Sequence, residues 1–140
     1  MATTSPPLDN RSKAVVAFLD RRRLKGYIYN FSPLKDRFRL FPHDNPLQTQ
    51  GTDVELKDLK AIFFVKDFTG NPDSPKSPPE ELHKRGRKAE ITFPDGEVFV
   101  GTTDAYNPKK LGFFVAPLDP MSNNLRVFVI IKNIHQLKWL

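Results

Sequence analysis

The strongest constraint on the fold of this chain is an internal repeat. Residues 13–65 align without a gap on residues 88–140, so each position of the first copy has an equivalent 75 positions later. The identical pairs are Lys13/Lys88, Ala14/Ala89, Phe18/Phe93, Asp20/Asp95, Gly26/Gly101, Pro33/Pro108, Lys35/Lys110, Phe38/Phe113, Pro42/Pro117, Asp44/Asp119, Val54/Val129 and Lys57/Lys132. Matched glycines, prolines and apolar residues at one offset indicate one backbone fold built twice. The repeat constrains the architecture and leaves the function open.

We call residues 13–65 the first repeat and residues 88–140 the second repeat. At 140 residues the chain has the length of one ordinary domain or of two very small ones, and the repeat favours two small units packed together. Residues 1–12 are predicted to be a disordered tail: they begin with a stretch that carries Thr, Ser and Pro and lacks the basic and apolar stretches of a secretion signal. Residues 66–87 are predicted to be a linker of polyproline character, with one helical turn at 79–83.

Alternation of apolar residues with a period of two runs through both repeats and predicts β-strands. Ala14, Val16 and Phe18 alternate along a first strand, and a turn at Asp20-Arg21 leads to a second strand at about 23–31. Further strands are predicted at 38–41, at 54–56 and up to residue 65, with equivalents in the second repeat. The sequence therefore predicts an all-β fold.

Gly26 and its equivalent Gly101 stand in the middle of the predicted second strands. A glycine at such a position is typical of a bend or of a close approach between backbones, as small barrels require. Because closure removes exposed strand edges, we predict two tandem homologous five-stranded small barrels, joined by a proline-rich linker and packed together. Six aromatic residues are expected to lie mostly buried in their cores: Phe18, Phe38, Phe64, Phe93, Phe113 and Trp139.

Positions that are apolar in only one repeat predict how the two units pack. The first repeat has Val15, Ala17, Leu19, Tyr27, Ala61 and Phe63, where the second has Glu90, Thr92, Pro94, Thr102, Gln136 and Lys138. The reverse holds for Asp53 and Glu55, which become Phe128 and Ile130. An apolar face of this size is rarely left in water, so we expect it to pack against Phe128 and Ile130. A homodimer or a protein partner on the same face is the alternative, with candidate interface residues Tyr27, Tyr29, Phe63, Phe128 and Ile130.

The net charge of +6 is unevenly distributed along the chain. The first repeat carries ten basic and six acidic residues, whereas the second carries six basic and five acidic ones. The candidate polyanion-binding residues are Arg21, Arg22, Arg23, Lys25, Arg37 and Arg39, joined by Lys35. With Tyr27 and Tyr29 nearby, this cluster is suited to holding a nucleic-acid backbone and stacking bases. The alternative is that these side chains only solvate a hairpin tip and a barrel rim and guard against edge pairing.

The sequence gives no support to catalysis. It contains no cysteine, no glycine-rich phosphate loop and no GxSxG, and its three histidines are scattered: His43, His83 and His135. The paired acids Glu80-Glu81 lie in the linker, where solvated charge is the simpler interpretation. We therefore predict a protein that is not an enzyme and that uses no metal or cofactor. Its apolar runs, such as 61–65, are too short to cross a membrane, and we expect a cytoplasmic protein.

Two short motifs resemble known small β-folds. The pattern Val16-x-Phe18-x-Asp20, followed by Gly26 and an aromatic residue at Phe31, resembles the first half of an Sm-like barrel, a fold that binds RNA in rings. Asn30-Phe31-Ser32 is similar to the start of the (D/N)xSxxG signature of PilZ domains, which bind cyclic di-GMP. Lys35 stands where that signature has its glycine, and the chain has no RxxxR arm.

A resemblance that covers nearly the whole chain concerns a family of uncharacterised bacterial proteins. It is carried by Lys25-Gly26, Phe31-Ser32-Pro33, residues 59–68, Gly101-Thr102-Thr103 and Ser122-Asn123-Asn124. The first hairpin of that family usually reads Asp-Gly, where this chain has Asp20-Arg21. The resemblance implies bacterial origin and the tandem-repeat fold.

Together these features predict a non-enzymatic binding module that acts through protein contacts. The alternative is a module that binds nucleic acid or a cyclic dinucleotide.

Overall fold

The computed structural model of the chain describes residues 11–42, 51–68, 86–119 and 121–140. Most of the predicted tail and linker, including the helical turn at 79–83, lies outside the described residues. So do His43, His83 and the acidic pair Glu80-Glu81.

Ten β-strands form the described part of the chain. The first repeat supplies β1 (Arg11–Phe18), β2 (Arg23–Tyr29), β3 (Arg37–Phe41), β4 (Thr52–Glu55) and β5 (Leu59–Val65). The second supplies β6 (Arg87–Thr92), β7 (Val98–Thr103), β8 (Gly112–Pro117), β9 (Asn124–Ile130) and β10 (Gln136–Trp139). A single 3-10 turn precedes the last strand of each repeat, at Leu56–Asp58 and at Ile131–Asn133. The prediction of an all-β fold is confirmed.

All ten strands belong to one antiparallel sheet, in the order β10-β6-β7-β8-β9-β5-β1-β2-β3-β4. The first repeat thus has the order β5-β1-β2-β3-β4, and the second has the corresponding order β10-β6-β7-β8-β9. The register also matches, since Ala14 lies opposite Gly26 and Ala89 lies opposite Gly101. The two repeats are joined where β5 pairs with β9.

The sheet does not close on itself, so the structure does not confirm the two separate barrels. A barrel within one repeat would pair β4 with β5, or β9 with β10. Instead β5 lies between β1 and β9, and β9 lies between β8 and β5. The edges of β5 and β9 that closure would use are instead paired with each other, so these two edges are not exposed.

The predicted close approach at the strand glycines is present. A Cβ on Gly26 would lie 2.6 Å from the carbonyl oxygen of Phe41, and a Cβ on Gly101 would collide with that of Ala116. Both glycines therefore allow the second and third strands of their repeat to approach each other.

Two hydrophobic cores lie on the two faces of the β5–β9 junction, and each contains residues of both repeats. The first core consists mainly of first-repeat residues such as Val16, Ile62 and Phe64, and it also contains Phe128 and Ile130. The second core consists of second-repeat residues together with Ala17, Ala61, Phe63 and Val65. All seven residues of β5 are buried because each face of this strand meets a core.

This arrangement corrects the predicted packing between the repeats. The first-repeat face was expected to pack against Phe128 and Ile130, but these two residues join the first core. Ala61 and Phe63 instead pack in the second core. Neighbouring side chains of a strand point to opposite faces, so β5 and β9 each cover the core of the other repeat. Of the six expected core aromatics, Phe18, Phe64, Phe93 and Phe113 are buried, whereas Phe38 and Trp139 are half-buried.

The first hairpin contains a strained residue. Arg21 has a φ of 77°, and its equivalent Gly96 has a φ of 93°. A left-handed backbone conformation destabilises the folded state by roughly 1–2 kcal/mol at a residue that has a side chain. We expect Arg21→Gly to stabilise the protein by up to about 1 kcal/mol and Gly96→Ala to destabilise it by a similar amount. Urea unfolding of both variants measures this, and a loss of stability in Arg21→Gly would contradict it.

Candidate functional site

Alternation along β2 divides its side chains between the first core and an outer face. Ile28 lies in the first core and Leu24 packs against it. Arg23, Lys25, Tyr27 and Tyr29 occupy the other face, because odd and even positions of a strand point to opposite sides. Arg23 and Lys25 are exposed, and the two tyrosines are half-buried.

The neighbouring strands add further aromatic and basic residues to this face. Tyr27 lies opposite Lys13 on β1 and opposite Phe41 on β3. Because Arg39 is two residues before Phe41, it shares the same face. We call the surface formed by Lys13, Lys25, Tyr27, Tyr29, Arg39 and Phe41 the tyrosine face.

Aromatic contacts and lysine hydrogen bonds hold the tyrosine face in place. The rings of Tyr29 and Phe41 meet edge to face with centroids 5.6 Å apart, and the ring of Tyr27 meets that of Phe68 in the same way at 5.4 Å. The Nζ of Lys25 donates a hydrogen bond to the backbone oxygen of Phe68 at 3.3 Å. These contacts limit the rotamers of the side chains that would meet a ligand.

The structure separates the six candidate polyanion-binding residues into two groups. Arg21, Arg22 and Arg23 lie at the β1–β2 hairpin, where they line a cleft of about 440 Å³ together with Asp95 and Glu97. Arg37 and Arg39 lie at the far end of β2, about 20 Å away by the rise of a strand. Lys25 lies between the two groups.

Two arginines of the hairpin group lie close to acidic residues. The Nε of Arg22 lies 2.8 Å from Asp20 Oδ2, and a guanidinium nitrogen of Arg23 lies 3.7 Å from Glu97 Oε1. Hydrogen bonds from the backbone N–H and the guanidinium of Arg22 hold the pKa of Asp20 below its usual value. These side chains are about half exposed or more, so the pairs offset only part of the positive charge of this group.

The β3 group has acidic neighbours as well. Arg37 and Arg39 share a face, as predicted, and lie opposite Glu55 and Asp53 on β4. The Nε of Arg39 lies 3.1 Å from Asp53 Oδ1, and that of Arg37 lies 3.8 Å from Asp36 Oδ1. All of these side chains are exposed by more than half except that of Glu55, so their mutual attraction is weak.

Three of the five candidate interface residues lie in the interior. Phe63 is 8% exposed, Phe128 is fully buried, and Ile130 is 1% exposed. Tyr27 and Tyr29 remain half-buried at the surface. The apolar residues that suggested a protein interface are thus used to join the two repeats.

An ion pair between the repeats, formed by a buried lysine, was not identified from the sequence. The Nζ of Lys60 donates hydrogen bonds to Asp95 Oδ2, at 2.8 Å, and to Glu97 Oε1. Lys60 is only 3% exposed, and its hydrogen bond is the main cause of the lowered pKa of Asp95. The sequence did contain one indication of this ion pair: Lys60 is the single charged residue of the otherwise apolar strand Leu59–Val65.

The tyrosine face exists in only one of the two repeats. The second repeat has Val100, Thr102 and Asp104 where the first has Lys25, Tyr27 and Tyr29. Phe114 replaces Arg39 and packs against the first core. Only Lys88 keeps its charge, as the equivalent of Lys13. A surface that differs this much between two copies of one backbone is not required by the fold.

Other kinds of site have no support in the described part of the chain. No group of three His, Cys, Asp or Glu side chains there could hold a metal ion. Nor do these residues include a helix long and apolar enough to cross a membrane.

Comparison with known proteins identifies the family. No curated protein and no solved structure matches the chain. The family model described as "Family of unknown function (DUF6982)" matches residues 10–140, which include both repeats and the region between them. The resemblance to an uncharacterised family is thus confirmed, and this chain belongs to the family of unknown function DUF6982.

Proposed function

We propose that this protein is a non-catalytic binding module that holds single-stranded nucleic acid on the tyrosine face. The observation that carries the proposal is the row of Tyr27 and Tyr29 on one sheet face, with Lys25 and Arg39 beside them. Aromatic rings stack on bases of any sequence, and basic side chains beside them neutralise the phosphates. A tyrosine pair and two cations on a sheet supply both kinds of contact.

The burial of Phe63, Phe128 and Ile130 favours this function over a module that acts through protein contacts. Protein interfaces need an apolar centre, and these residues already form the junction between the repeats. What remains on the outer face is mainly aromatic and basic, and the acidic residues Asp53 and Glu55 lie at its margin on β4.

The charge contribution is tested with a fluorescent single-stranded oligonucleotide and a salt series. Affinity should fall with salt by roughly 0.7 log units per log unit of salt for each neutralised phosphate. The variant Lys25→Ser/Arg39→Ser removes two cations, so its slope should be shallower by about 1.4 units. The control Lys88→Ser/Lys138→Ser removes the same charge from exposed sites of the second repeat and should leave the slope near that of the wild type.

The stacking contribution is tested separately with Tyr29→Leu. Loss of one stacked base costs about 1–3 kcal/mol of binding free energy, so affinity should fall roughly 5–150-fold at unchanged salt slope. Equal affinities of wild type, Lys25→Ser/Arg39→Ser and Tyr29→Leu would overturn the proposal. Displacement of the oligonucleotide by an equimolar amount of cyclic di-GMP would instead assign the face to dinucleotides.

A further inference from the structure

A second cleft lies on the junction between the repeats, away from the tyrosine face. Its volume is about 390 Å³, within the size range of small-ligand pockets. Equivalent positions of the two repeats form its walls: Asp36/Leu111, Glu55/Ile130, Leu56/Ile131 and Lys57/Lys132. The cleft is therefore the place where the same segment of both repeats comes together.

The backbone around this cleft is fixed by matching hydrogen bonds. The N–H of Leu56 donates to the carbonyl of Asp36 at 2.9 Å, and the N–H of Ile131 donates to that of Leu111 at 3.0 Å. The side chain of Asn133 donates across the junction to the carbonyls of Lys57 and Leu59, at 3.0 and 2.8 Å. These bonds connect the two 3-10 turns, so the cleft is preformed.

The cleft combines an apolar wall with two cations that have no acidic partner among the residues that the structure describes. Leu56 and Ile130 are buried at its base, and Leu111 is 38% exposed beside them. Lys110 and Lys132 also line it, and no acidic group of the described residues lies within ion-pair distance of either.

The other charged residues of the cleft already have partners. The Nζ of Lys57 lies 3.6 Å from Glu55 Oε1 and 3.4 Å from Asp58 Oδ1. Asp36 Oδ1 lies 3.8 Å from the Nε of Arg37. The charge left for a ligand is thus that of Lys110 and Lys132.

We infer that this cleft binds a small organic anion with an apolar body, such as an aromatic carboxylate. The apolar body would cover the side chains of Leu111 and Ile131, and the anionic group would pair with Lys110 and Lys132. This site is independent of the tyrosine face, because the two surfaces share no residue.

The test uses two probes with the same ring system and different charge. 2-Naphthoate is an anion at neutral pH, whereas 2-naphthol is a neutral phenol. Amide chemical shifts are followed during titration of the full chain with each probe. We expect saturable shifts at Leu56 and Ile131 with 2-naphthoate, and about fivefold to tenfold weaker binding of 2-naphthol, since two exposed ion pairs are lost.

Variants assign the effect to the two lysines. The variant Lys110→Ser/Lys132→Ser should bind 2-naphthoate about fivefold to tenfold more weakly than the wild type and should bind 2-naphthol with unchanged affinity. Lys88→Ser/Lys138→Ser and Lys25→Ser/Arg39→Ser should both bind 2-naphthoate like the wild type. The inference is overturned if 2-naphthoate leaves Leu56 and Ile131 unshifted, or if it binds Lys110→Ser/Lys132→Ser as well as it binds the wild type. Oligonucleotide binding is measured separately, so the two proposals can fail independently.

Discussion

Phe128→Asp is expected to cost more than about 5 kcal/mol, enough to unfold a domain whose total stability is about 5–15 kcal/mol. Phe128 is fully buried, and its ring lies 5.1 Å from that of Phe31 and 5.0 Å from that of Phe114. The substitution removes these contacts and places an unpaired carboxylate in the first core. Circular dichroism during urea titration would show an unfolded chain, or a midpoint far below that of the wild type.

The matched control is Asp53→Phe, because Asp53 occupies the position equivalent to Phe128. The side chain of Asp53 is 59% exposed and pairs with Arg39 at the surface. Loss of such an exposed pair costs about 0–1 kcal/mol, so this variant should remain folded. Similar stabilities of Phe128→Asp and Asp53→Phe would contradict the assignment of the two cores.

The second large effect is expected at the buried ion pair between the repeats. Asp95→Asn/Glu97→Gln leaves the ammonium of Lys60 without a charged partner at 4% side-chain exposure, which should cost about 3–5 kcal/mol. Lys60→Met should cost less, about 1–2 kcal/mol, because it removes the buried charge itself. The carboxylates that it leaves are 29% and 48% exposed and can be hydrated. Urea unfolding at neutral pH compares the two variants, and a larger loss in Lys60→Met would contradict this explanation.

The same ion pair predicts the sign of a pH dependence. The hydrogen bond from Lys60 lowers the pKa of folded Asp95 below that of the unfolded chain, which is about 3.9. The stabilisation is therefore fully present above the unfolded value and is lost as the pH falls through the folded one. Wild-type stability should decrease over this acidic range more steeply than that of Lys60→Met. Parallel curves of stability against pH for the two proteins would show that this ion pair does not contribute to the pH dependence.

The sequence was sufficient to predict strands, turns and buried positions because those depend on local patterns. Alternation of apolar residues along 14–18 indicates a strand with one buried face, and Gly26 indicates a close approach to a neighbouring backbone. Alternation does not identify the partner of a buried face. Phe63 and Phe128 were therefore expected to pack together between the repeats, whereas they lie in different cores. The partner depends on the pairing of β5 with β9, a contact between residues 59 to 68 positions apart.

The candidate site was only partly predictable for a related reason. The shared face of Arg37 and Arg39 follows from their spacing, whereas their acidic neighbours come from another strand. Likewise, Glu97 reaches Arg23 only because the second repeat folds back onto the first. Electrostatic neutralisation of this kind depends on tertiary structure, so a basic run in a sequence overstates the charge that a ligand encounters.

The shared strand order has a further consequence for how many units such a sheet can hold. Among the described residues, β4 and β10 each pair on one side only, and they are the equivalents of β9 and β5. At the junction, Ile62 lies opposite Phe128, and Phe63 lies opposite Val127. If β10 paired with β4 of another chain in the same register, Leu137 would lie opposite Asp53, and Lys138 would lie opposite Thr52. The charged residues Asp53 and Lys138 would therefore oppose the addition of another unit at these edges. A longer array would require an inserted middle unit that combines the apolar β5 of the first repeat with the apolar β9 of the second.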